Sequence, residues 1–403
     1  MTSPVDTSIK YITSQMAGAP VLSGTAGALN VLLEAFLVTG FDIKTLASLS
    51  VAGGIATASY TGAHSAMVDS VVLISGVTGG PAGFAGLNGE QKITGKASAG
   101  NSVTFATALP DGVYTGTITM KMAPLGWAKR FSKPGVSVFQ SADVTSSGCL
   151  LRVDDSGTTV ARVVGYESMS DVDTGVGPFP ASAQMAGGGI WTKSTSANAT
   201  PTQWVLAGDS KFFMFINVPG IASSAGYQAC VVRGFGDPIT LKPGGDPFGC
   251  VLNCSVVAPN SPSSQWDGGF DRPANATTTF SPRTHTGLGS SVAQWAAPLM
   301  GSGSKASGQD ATLGVFPNEQ VDGALRLSRR FVQQVATRGI RAFVPGVMHI
   351  PQNALAATFG NFDRFTAVDG RRYICMLTNE GSFDSAVTTA SGIVPIDITG
   401  PWR

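Results

Sequence analysis

The stretch Leu46-Ala-Ser-Leu-Ser-Val-Ala-Gly-Gly-Ile-Ala-Thr-Ala-Ser-Tyr60 holds two short apolar and β-branched runs on either side of Gly53-Gly54. A Gly-Gly pair accepts the positive φ angles of a tight two-residue turn, so the pattern predicts a β-hairpin. Four more such runs follow, separated by turn residues such as Asn88-Gly89 and Asp111-Gly112; they lie at 71–74, 93–97, 103–106 and 114–120. Six strands within residues 45–122 predict a small β-sandwich or barrel module.

The rest of the chain continues the β pattern with longer connections. Phe212-Phe-Met-Phe-Ile216 is apolar without alternation, which predicts a central strand buried on both faces. Three stretches without periodicity are predicted to be long loops, at 171–189, 258–291 and 301–317. Ordered loops of this length usually carry function or contact a partner. Residues 123–403 are therefore expected to form a larger β-rich domain with long loops.

One amphipathic helix is predicted near the N-terminus. From Thr25 the apolar residues recur at helical spacing, at Leu29, Leu32, Leu33, Phe36 and Leu37. Ser23 or Thr25 can cap its start, and Gly40 can take the left-handed position after its end. Residues 1–44 are thus expected to be an N-terminal arm and helix. A weaker pattern at 321–336 fits either a helix or an extended segment, because three arginines interrupt it.

The composition narrows the class of protein. Only 13% of the 403 residues are charged, and the chain has 51 glycines. An ordinary domain carries about 25% charged residues. The net charge of +1 offers no field to attract phosphates, so nucleic acid is not an expected partner. So few charges suit a surface that is covered by copies of the same chain or by other proteins.

Targeting, redox and cofactor signals are weak. The N-terminal residues lack a basic region followed by an apolar run, so no signal peptide is expected. The most apolar stretch, 31–38, is too short to cross a bilayer, and no membrane partner is expected. The five cysteines form no CxxC pair, and three histidines cannot complete a zinc site at a recognised spacing. We expect buried thiols and no cofactor.

Four acidic residues are candidates for chemistry. Asp154-Asp155 ends a predicted strand, and Asp171-Val-Asp173 lies in a loop. Converging carboxylates could serve a glycosidase or hold a hard cation. The same residues also fit turns in which Asp side chains bond the backbone two residues on, and this interpretation is favoured. The EF-hand pattern fails, because its twelfth position is Ser182, where a bidentate Glu is needed.

Other constellations are better explained by architecture. Asp209, Asp237 and Asp246 each follow a glycine beside a predicted strand, which is typical of turns. No Gly-x-Ser-x-Gly elbow and no phosphate-binding Gly-rich motif occurs, and the contexts of the histidines suggest no nucleophilic triad.

A contact surface is the last candidate. Trp191, Trp204, Trp266 and Trp295 could stack on sugar rings, but Trp204 lies inside a predicted strand and is expected in the core. Trp266, in a Gly- and Ser-rich loop, is the better exposed candidate. Together with Asp171 and Asp173 it forms the candidate contact surface.

Several segments resemble a group of tailed-bacteriophage virion proteins labelled as structural or tail-associated. The segments that carry the resemblance, which spans nearly the whole chain, are Ala17-Gly-Ala-Pro-Val-Leu-Ser-Gly-Thr-Ala-Gly27, Val164-Gly-Tyr-Glu-Ser-Met-Ser-Asp-Val-Asp-Thr-Gly175, Arg233-Gly-Phe-Gly-Asp237, Pro345-Gly-Val-Met-His-Ile-Pro351 and Ile396-Asp-Ile-Thr-Gly-Pro-Trp402. Residues 55–121 are similar to a small β-module of phage structural proteins. The family carries no catalytic motif, so the resemblance implies no enzyme and transfers no functional residue.

Three hypotheses follow from the resemblance and the residues. The first is a non-enzymatic structural subunit of a phage tail, baseplate or neck, made in the host cytoplasm and assembled into the virion as a symmetric oligomer. Its partners would be copies of itself and other virion proteins. The alternatives are a host-receptor adhesin that binds a surface glycan through Trp266, or a capsid decoration protein. A tail-associated glycan hydrolase using Asp154, Asp155, Asp171 or Asp173 is the least favoured.

Overall fold

The computed structural model describes residues 3–220, 229–255, 269–270, 278–298, 324–334, 339–350, 352, 355–378 and 392–403. The chain is mainly β, with 46% strand and 6% helix. A closed six-strand barrel and a large curled sheet dominate the fold, and one α-helix lies near the N-terminus. The predicted fold class is confirmed.

The N-terminal segment contributes a strand and the helix. Strand β1 (Lys10–Thr13) is buried along its length, and helix α1 (Ala28–Glu34) continues as a π-helical turn, Ala35–Thr39. All five predicted apolar helix residues are at most 1% exposed, as a single core-facing stripe requires. The predicted cap is wrong: Ser23 and Thr25 hydrogen-bond each other at 2.9 Å, and the helix amides bond a side chain from elsewhere in the fold.

Seven antiparallel strands build the barrel region: β2 (Phe41–Ala52), β3 (Ile55–Tyr60), β4 (Val71–Ser75), β5 (Gly89–Lys96), β6 (Ser102–Ala106), β7 (Gly112–Tyr114) and β8 (Thr119–Met122). The order β3-β6-β5-β4-β8-β2 closes because β2 also pairs with β3, while β7 pairs with β2 outside the ring. Gly53 and Gly54 turn the β2–β3 hairpin with φ of 57° and 78°, as their sequence predicts. A short 3₁₀ turn, Phe84–Leu87, precedes β5.

The strand predicted at 114–120 is divided in the structure. Thr115 leaves β7 to bridge Gly79, and the chain rejoins the barrel only at β8. Local β-propensity does not reveal this change of partner, because it is decided by a contact between segments far apart in sequence.

A five-stranded sheet follows, in the order β15-β12-β11-β10-β9. Its segment of the chain comprises β9 (Trp127–Lys133), β10 (Val136–Ser141), β11 (Leu150–Asp154), β12 (Val160–Tyr166), β13 (Ser168–Met169), β14 (Gly175–Val176) and β15 (Gly189–Thr192). Strands β13 and β14 pair only with each other, so the loop predicted at 171–189 contains part of a small hairpin.

The large curled sheet comprises β1 together with β16 (Gln203–Gly208), β17 (Phe212–Val218), β18 (Val231–Gly236), β19 (Ile239–Thr240), β20 (Val251–Asn253), β21 (Thr279–Ser281), β22 (Val292–Pro298), β23 (Ser328–Gln334), β24 (Ile340–His349), β25 (Arg364–Thr366), β26 (Arg372–Thr378) and β27 (Gly392–Asp397). Its order is β1-β16-β17-β18-β20-β21-β22-β23-β24-β27-β26-β25, with β19 also paired to β24. A 3₁₀ turn, Leu355–Ala357, lies before β25. Among the described residues of the 321–336 segment, 328–334 form β23, so the extended alternative is correct there.

One hydrophobic core extends through the barrel, the helix, the five-stranded sheet and the large curled sheet. Every residue of β17 is buried between β16 and β18, which confirms the prediction for 212–216. Trp127 meets Phe213 edge-on, with ring centroids 5.2 Å apart, and Trp191 does the same at 6.1 Å. Such edge-to-face aromatic pairs stabilise a core beyond their area burial.

Polar contacts join the barrel to the large sheet. Arg372 of β26 binds both carboxylate oxygens of Asp69 at 2.8 and 3.0 Å, and the Tyr11 hydroxyl of β1 donates to the carbonyl of Val68. Lys92 of β5 is buried and donates to the carbonyls of Ile398 and Thr399, just after β27. Segments that precede and follow the barrel in the sequence therefore both pack against it.

Candidate functional site

A cleft of about 550 Å³ opens where the five-stranded sheet meets the large sheet. Its walls come from the 145–147 loop, the start of β17, the segment between β18 and β20, β24 and the C-terminal Arg403. The lining combines hydroxyl groups with two acids and two bases. Concave sites with a few convergent polar groups are the usual places for ligand binding, so this is the candidate site.

Asp237 is the acidic centre of the cleft. Its Oδ2 accepts the backbone N–H of Ser147 at 2.6 Å, and its Oδ1 accepts the Ser147 hydroxyl at 2.5 Å. Burial raises the pKa of Asp237, and the Ser147 hydrogen bonds and the charges of Arg403 and Lys211 only partly oppose it. The carboxyl group is therefore fixed in orientation, and it binds a proton at a higher pH than an ordinary aspartate does.

The two bases are tethered to the walls. Lys211 donates from Nζ to the carbonyl of Thr145 at 3.2 Å. Arg403 binds Asp209 from Nε at 2.7 Å and also donates to the carbonyl of Asp237 at 2.8 Å. The positive charges thus sit at the rim, close to the buried acid.

A buried ion pair stiffens the opposite wall. Arg341 and Asp246 have side chains only 2% and 1% exposed, and they form a bidentate contact with a shorter arm of 2.7 Å. Arg341 also donates to the carbonyls of Arg283 and Phe248, so four of its five N–H groups have acceptors. Removing either partner would leave an uncompensated buried charge, so the pair holds both side chains in place in this wall.

The sequence predicts separate architectural turns for the two acids of the cleft, Asp237 and Asp246, and for Asp209, which binds Arg403 beside it. Asp209 and Asp246 do make local turn contacts: Asp209 accepts the amides of Lys211 and Phe212, and Asp246 accepts the amide of Phe248. The carboxylate of Asp237 instead accepts the amide and hydroxyl of Ser147, ninety residues away. The sequence contained only one further signal, the repeated Gly-Asp-Pro at 236–238 and 245–247. The convergence of Asp237 and Asp246 on one cleft depends on the pairing of β18 with β20, which the sequence does not reveal.

The four acids singled out from the sequence do not converge on one site, although Arg152 contacts both Asp154, at 3.8 Å, and Asp173, at 3.0 Å. Asp171 accepts the amides of Asp173 and Thr174, which lowers its pKa, as expected for an Asp turn. Asp173 is held by Lys133 and Arg152, and the hydrogen bond from Lys133 is the largest cause of its lowered pKa. Asp154 bonds Ser156 in another turn. Within the described part of the chain, no three His, Cys, Asp or Glu side chains gather as a metal site.

Asp155 lies elsewhere, buried against α1. Its Oδ2 accepts the amides of Leu29 at 2.7 Å and Asn30 at 3.0 Å. It thereby provides the helix cap that Ser23 and Thr25 do not. Burial raises the pKa of Asp155, although the neighbouring Lys193 and these amides oppose the shift.

A serine, a histidine and an aspartate also gather beside the barrel. Ser65 donates from its amide and its hydroxyl to Asp42, while His64 points its Nε2 at the same Oδ2 from 3.8 Å. His64 Nδ1 already accepts the amide of Ala66. Because the hydroxyl bonds the carboxylate and not the imidazole, the histidine cannot take its proton, and the trio lacks the relay of a hydrolytic triad.

Two of the four candidate tryptophans lie in the core. Trp191 and Trp204 are fully buried in the core, so neither is available to a sugar. Trp266 lies outside the described residues, and its role as a contact residue stays a prediction.

Comparison with known proteins adds no assignment, because no protein-family model and no curated protein matches the chain. Among the described residues, no helix has the length and apolarity needed to span a membrane.

Proposed function

We propose that this protein is a non-enzymatic structural component of a tailed-phage virion, in the tail, baseplate or neck, and that it assembles there as a symmetric oligomer. The resemblance of its segments to virion proteins suggests the setting. The observation that carries the proposal is that the chain has few charged side chains and that, in its described part, many of them form ion pairs within the chain. Such a surface is suited to contact with other subunits.

The internal pairing extends to groups near the surface. The pairs are Lys129 with Glu34, Lys133 and Arg152 with Asp173, Arg283 with Glu167, Arg371 with Asp397, Arg372 with Asp69, and Arg403 with Asp209. Charged residues are depleted from the centres of protein interfaces, because each unpaired charge must lose its hydration there. Pairing within the subunit removes much of that penalty before assembly.

Several large apolar side chains of the described residues are exposed. Val144 is 97% exposed, Leu288 72% and Val176 66%. Single exposed apolar residues are ordinary on any surface. In a chain with only 13% charged residues, they supply apolar area that subunit contacts can bury.

The proposal is tested by assembly and by location. The purified chain should form one defined oligomer in light scattering as its concentration rises, and the oligomer should persist at about 1 M salt, where surface charges are screened. Quantitative mass spectrometry of purified phage particles should find the chain at many copies per particle. A chain that stays monomeric at all concentrations and is missing from the particles would refute the proposal.

The location also separates the alternatives. Cryo-electron microscopy of the particle should place the subunit in the tail, baseplate or neck; density on the capsid surface would instead identify a decoration protein. Binding of the isolated protein to host cells, lost in Trp266→Ala, would favour the adhesin.

A further inference from the structure

Lys193 and Asp155 form a charge pair that is completely shielded from solvent. Both side chains are 0% exposed, and Nζ lies 2.5 Å from Oδ1. For an ordinary hydrogen-bond angle, this places the amine within about 3.5 Å of the carboxyl carbon, inside the near-attack range. Asp155 follows β11 and Lys193 follows β15, so the contact spans the intervening strand β12.

The second oxygen of Asp155 is held by a fixed pair of backbone donors. Oδ2 accepts the amides of Leu29 and Asn30 at 2.7 and 3.0 Å. These are the separations at which fixed backbone donors stabilise the oxyanion of an acyl-transfer intermediate. The donors belong to the first turn of α1, so they are fixed in position before any reaction begins.

The amine is aimed by two carbonyl groups. Nζ also donates to the carbonyl of Thr25 at 2.6 Å and to that of Gly157 at 2.8 Å. With its three protons directed at three acceptors, the lysine cannot swing away from the carboxyl. Restricting two reacting groups in this way can replace a large part of the entropic barrier of a reaction.

We propose that Asp155 and Lys193 condense to form an intramolecular isopeptide bond. A proton passes from Nζ to Oδ1, which converts the ion pair into a neutral amine and a carboxylic acid. Burial favours this neutral form, because neither charge has water around it. The Nζ lone pair then attacks Cγ, and the negative charge that develops on Oδ2 is held by the Leu29 and Asn30 amides.

The intermediate collapses with loss of water. The Cγ–Oδ1 bond breaks as Oδ1 takes a second proton from the nitrogen, and an amide between Nζ and Cγ remains. One C–N bond forms, one C–O bond breaks and one water leaves, with no oxidant or reductant. The remaining N–H can still donate to the carbonyl of Thr25 or Gly157.

Two other lysines provide matched comparisons inside the same chain. Lys133 contacts Asp173 at 2.6 Å, but both side chains are substantially exposed, so water stabilises the ions and the pair should not react. Lys92 is buried, but its described hydrogen bonds go to the carbonyls of Ile398 and Thr399. Of these three lysines, Lys193 alone combines burial with a carboxyl partner whose second oxygen is held by backbone amides.

Mass spectrometry of the wild-type protein tests the bond directly. The intact mass under denaturing, reducing conditions should be lower than the sequence mass by one water. Because an acylated lysine resists trypsin, digestion should yield a branched peptide that joins residues 153–162 to residues 163–211. Cleavage after Lys92 should be normal, and the peptide 131–152, in which Pro134 protects Lys133 from trypsin, should appear without a branch to the peptide that contains Asp173.

Variants locate the reacting groups. Lys193→Arg keeps a cation beside Asp155 and should have the full sequence mass, as should Asp155→Ala, whereas Lys133→Arg should retain the loss of water. A folded wild-type protein with the full sequence mass and complete cleavage after Lys193 would overturn the proposal. This measurement uses the wild-type protein, so its outcome does not depend on whether the variants fold.

Discussion

Replacement of Gly346 by alanine should destabilise the protein through a specific collision with Trp402. Gly346 lies in β24 with φ of +70°, and a methyl group there would overlap Cε2 and Cζ2 of the Trp402 ring. The ring cannot easily retreat, because it is 8% exposed and its Nε1 donates to the carbonyl of Asp397 at 3.1 Å. Two separable costs follow, one from the backbone and one from packing.

Each of the two costs can be estimated separately. A positive φ costs an L-residue about 1–2 kcal/mol, and overpacking a filled site costs about 1–3 kcal/mol. Gly346→Ala should therefore lower the free energy of unfolding by about 2–5 kcal/mol. Gly370→Ala is the matched control: its φ is +81° and nothing lies within 4 Å of the added methyl group, so only the backbone cost should appear.

A double-mutant cycle separates the two costs. Without the ring, in a Trp402→Ala background, Gly346→Ala should cost only about 1–2 kcal/mol. The coupling of about 1–3 kcal/mol should be measurable by urea denaturation followed by circular dichroism. Strictly additive effects of the two substitutions, or equal effects of Gly346→Ala and Gly370→Ala, would refute the reasoning.

Three further predictions concern charged groups. Folding raises the pKa of Asp237, so ionisation of this carboxyl destabilises the folded state as the pH rises above the ordinary pKa of an aspartate. Asp237→Asn should therefore gain thermal stability relative to wild type as the pH is raised from about 3 to about 7. A difference in melting temperature that does not change with pH would contradict this. Asp173→Asn should leave the melting temperature unchanged within error, because that ion pair is exposed. Lys92→Met should lower the free energy of unfolding by about 1.5–3 kcal/mol, because the carbonyls of Ile398 and Thr399 lose a charged donor. Amide hydrogen exchange around these two residues should become faster, and unchanged exchange there would count against the contact.

The sequence predicted best what depends on neighbours along the chain. The hairpin at Gly53-Gly54, the apolar face of α1 and the buried run beginning at Phe212 are all set by local turn chemistry and periodicity. In each case the local pattern and the tertiary packing favour the same structure, so the prediction was confirmed.

The candidate cleft could not be predicted in this way. Asp237 looks like an ordinary turn residue in the sequence, and only the fold brings Ser147 and Arg403 to it. Asp155 shows the same limit, since it caps a helix more than a hundred residues earlier in the chain. Local patterns identify which side chains can make such contacts, but strand pairing decides which partner each one meets.

The position of β1 has a consequence for the order in which the chain can fold during synthesis. Lys10 of β1 pairs opposite Gly208 of β16, so β1 cannot pair with β16 until about 200 further residues have been synthesised and have left the ribosome. The barrel strands, in contrast, find all their partners between residues 41 and 122 and can close early. Contacts between distant segments form slowly, because a long loop must close first. We therefore expect the barrel to be the first folded unit on the ribosome, and β1 to join the large sheet only after β16 has emerged.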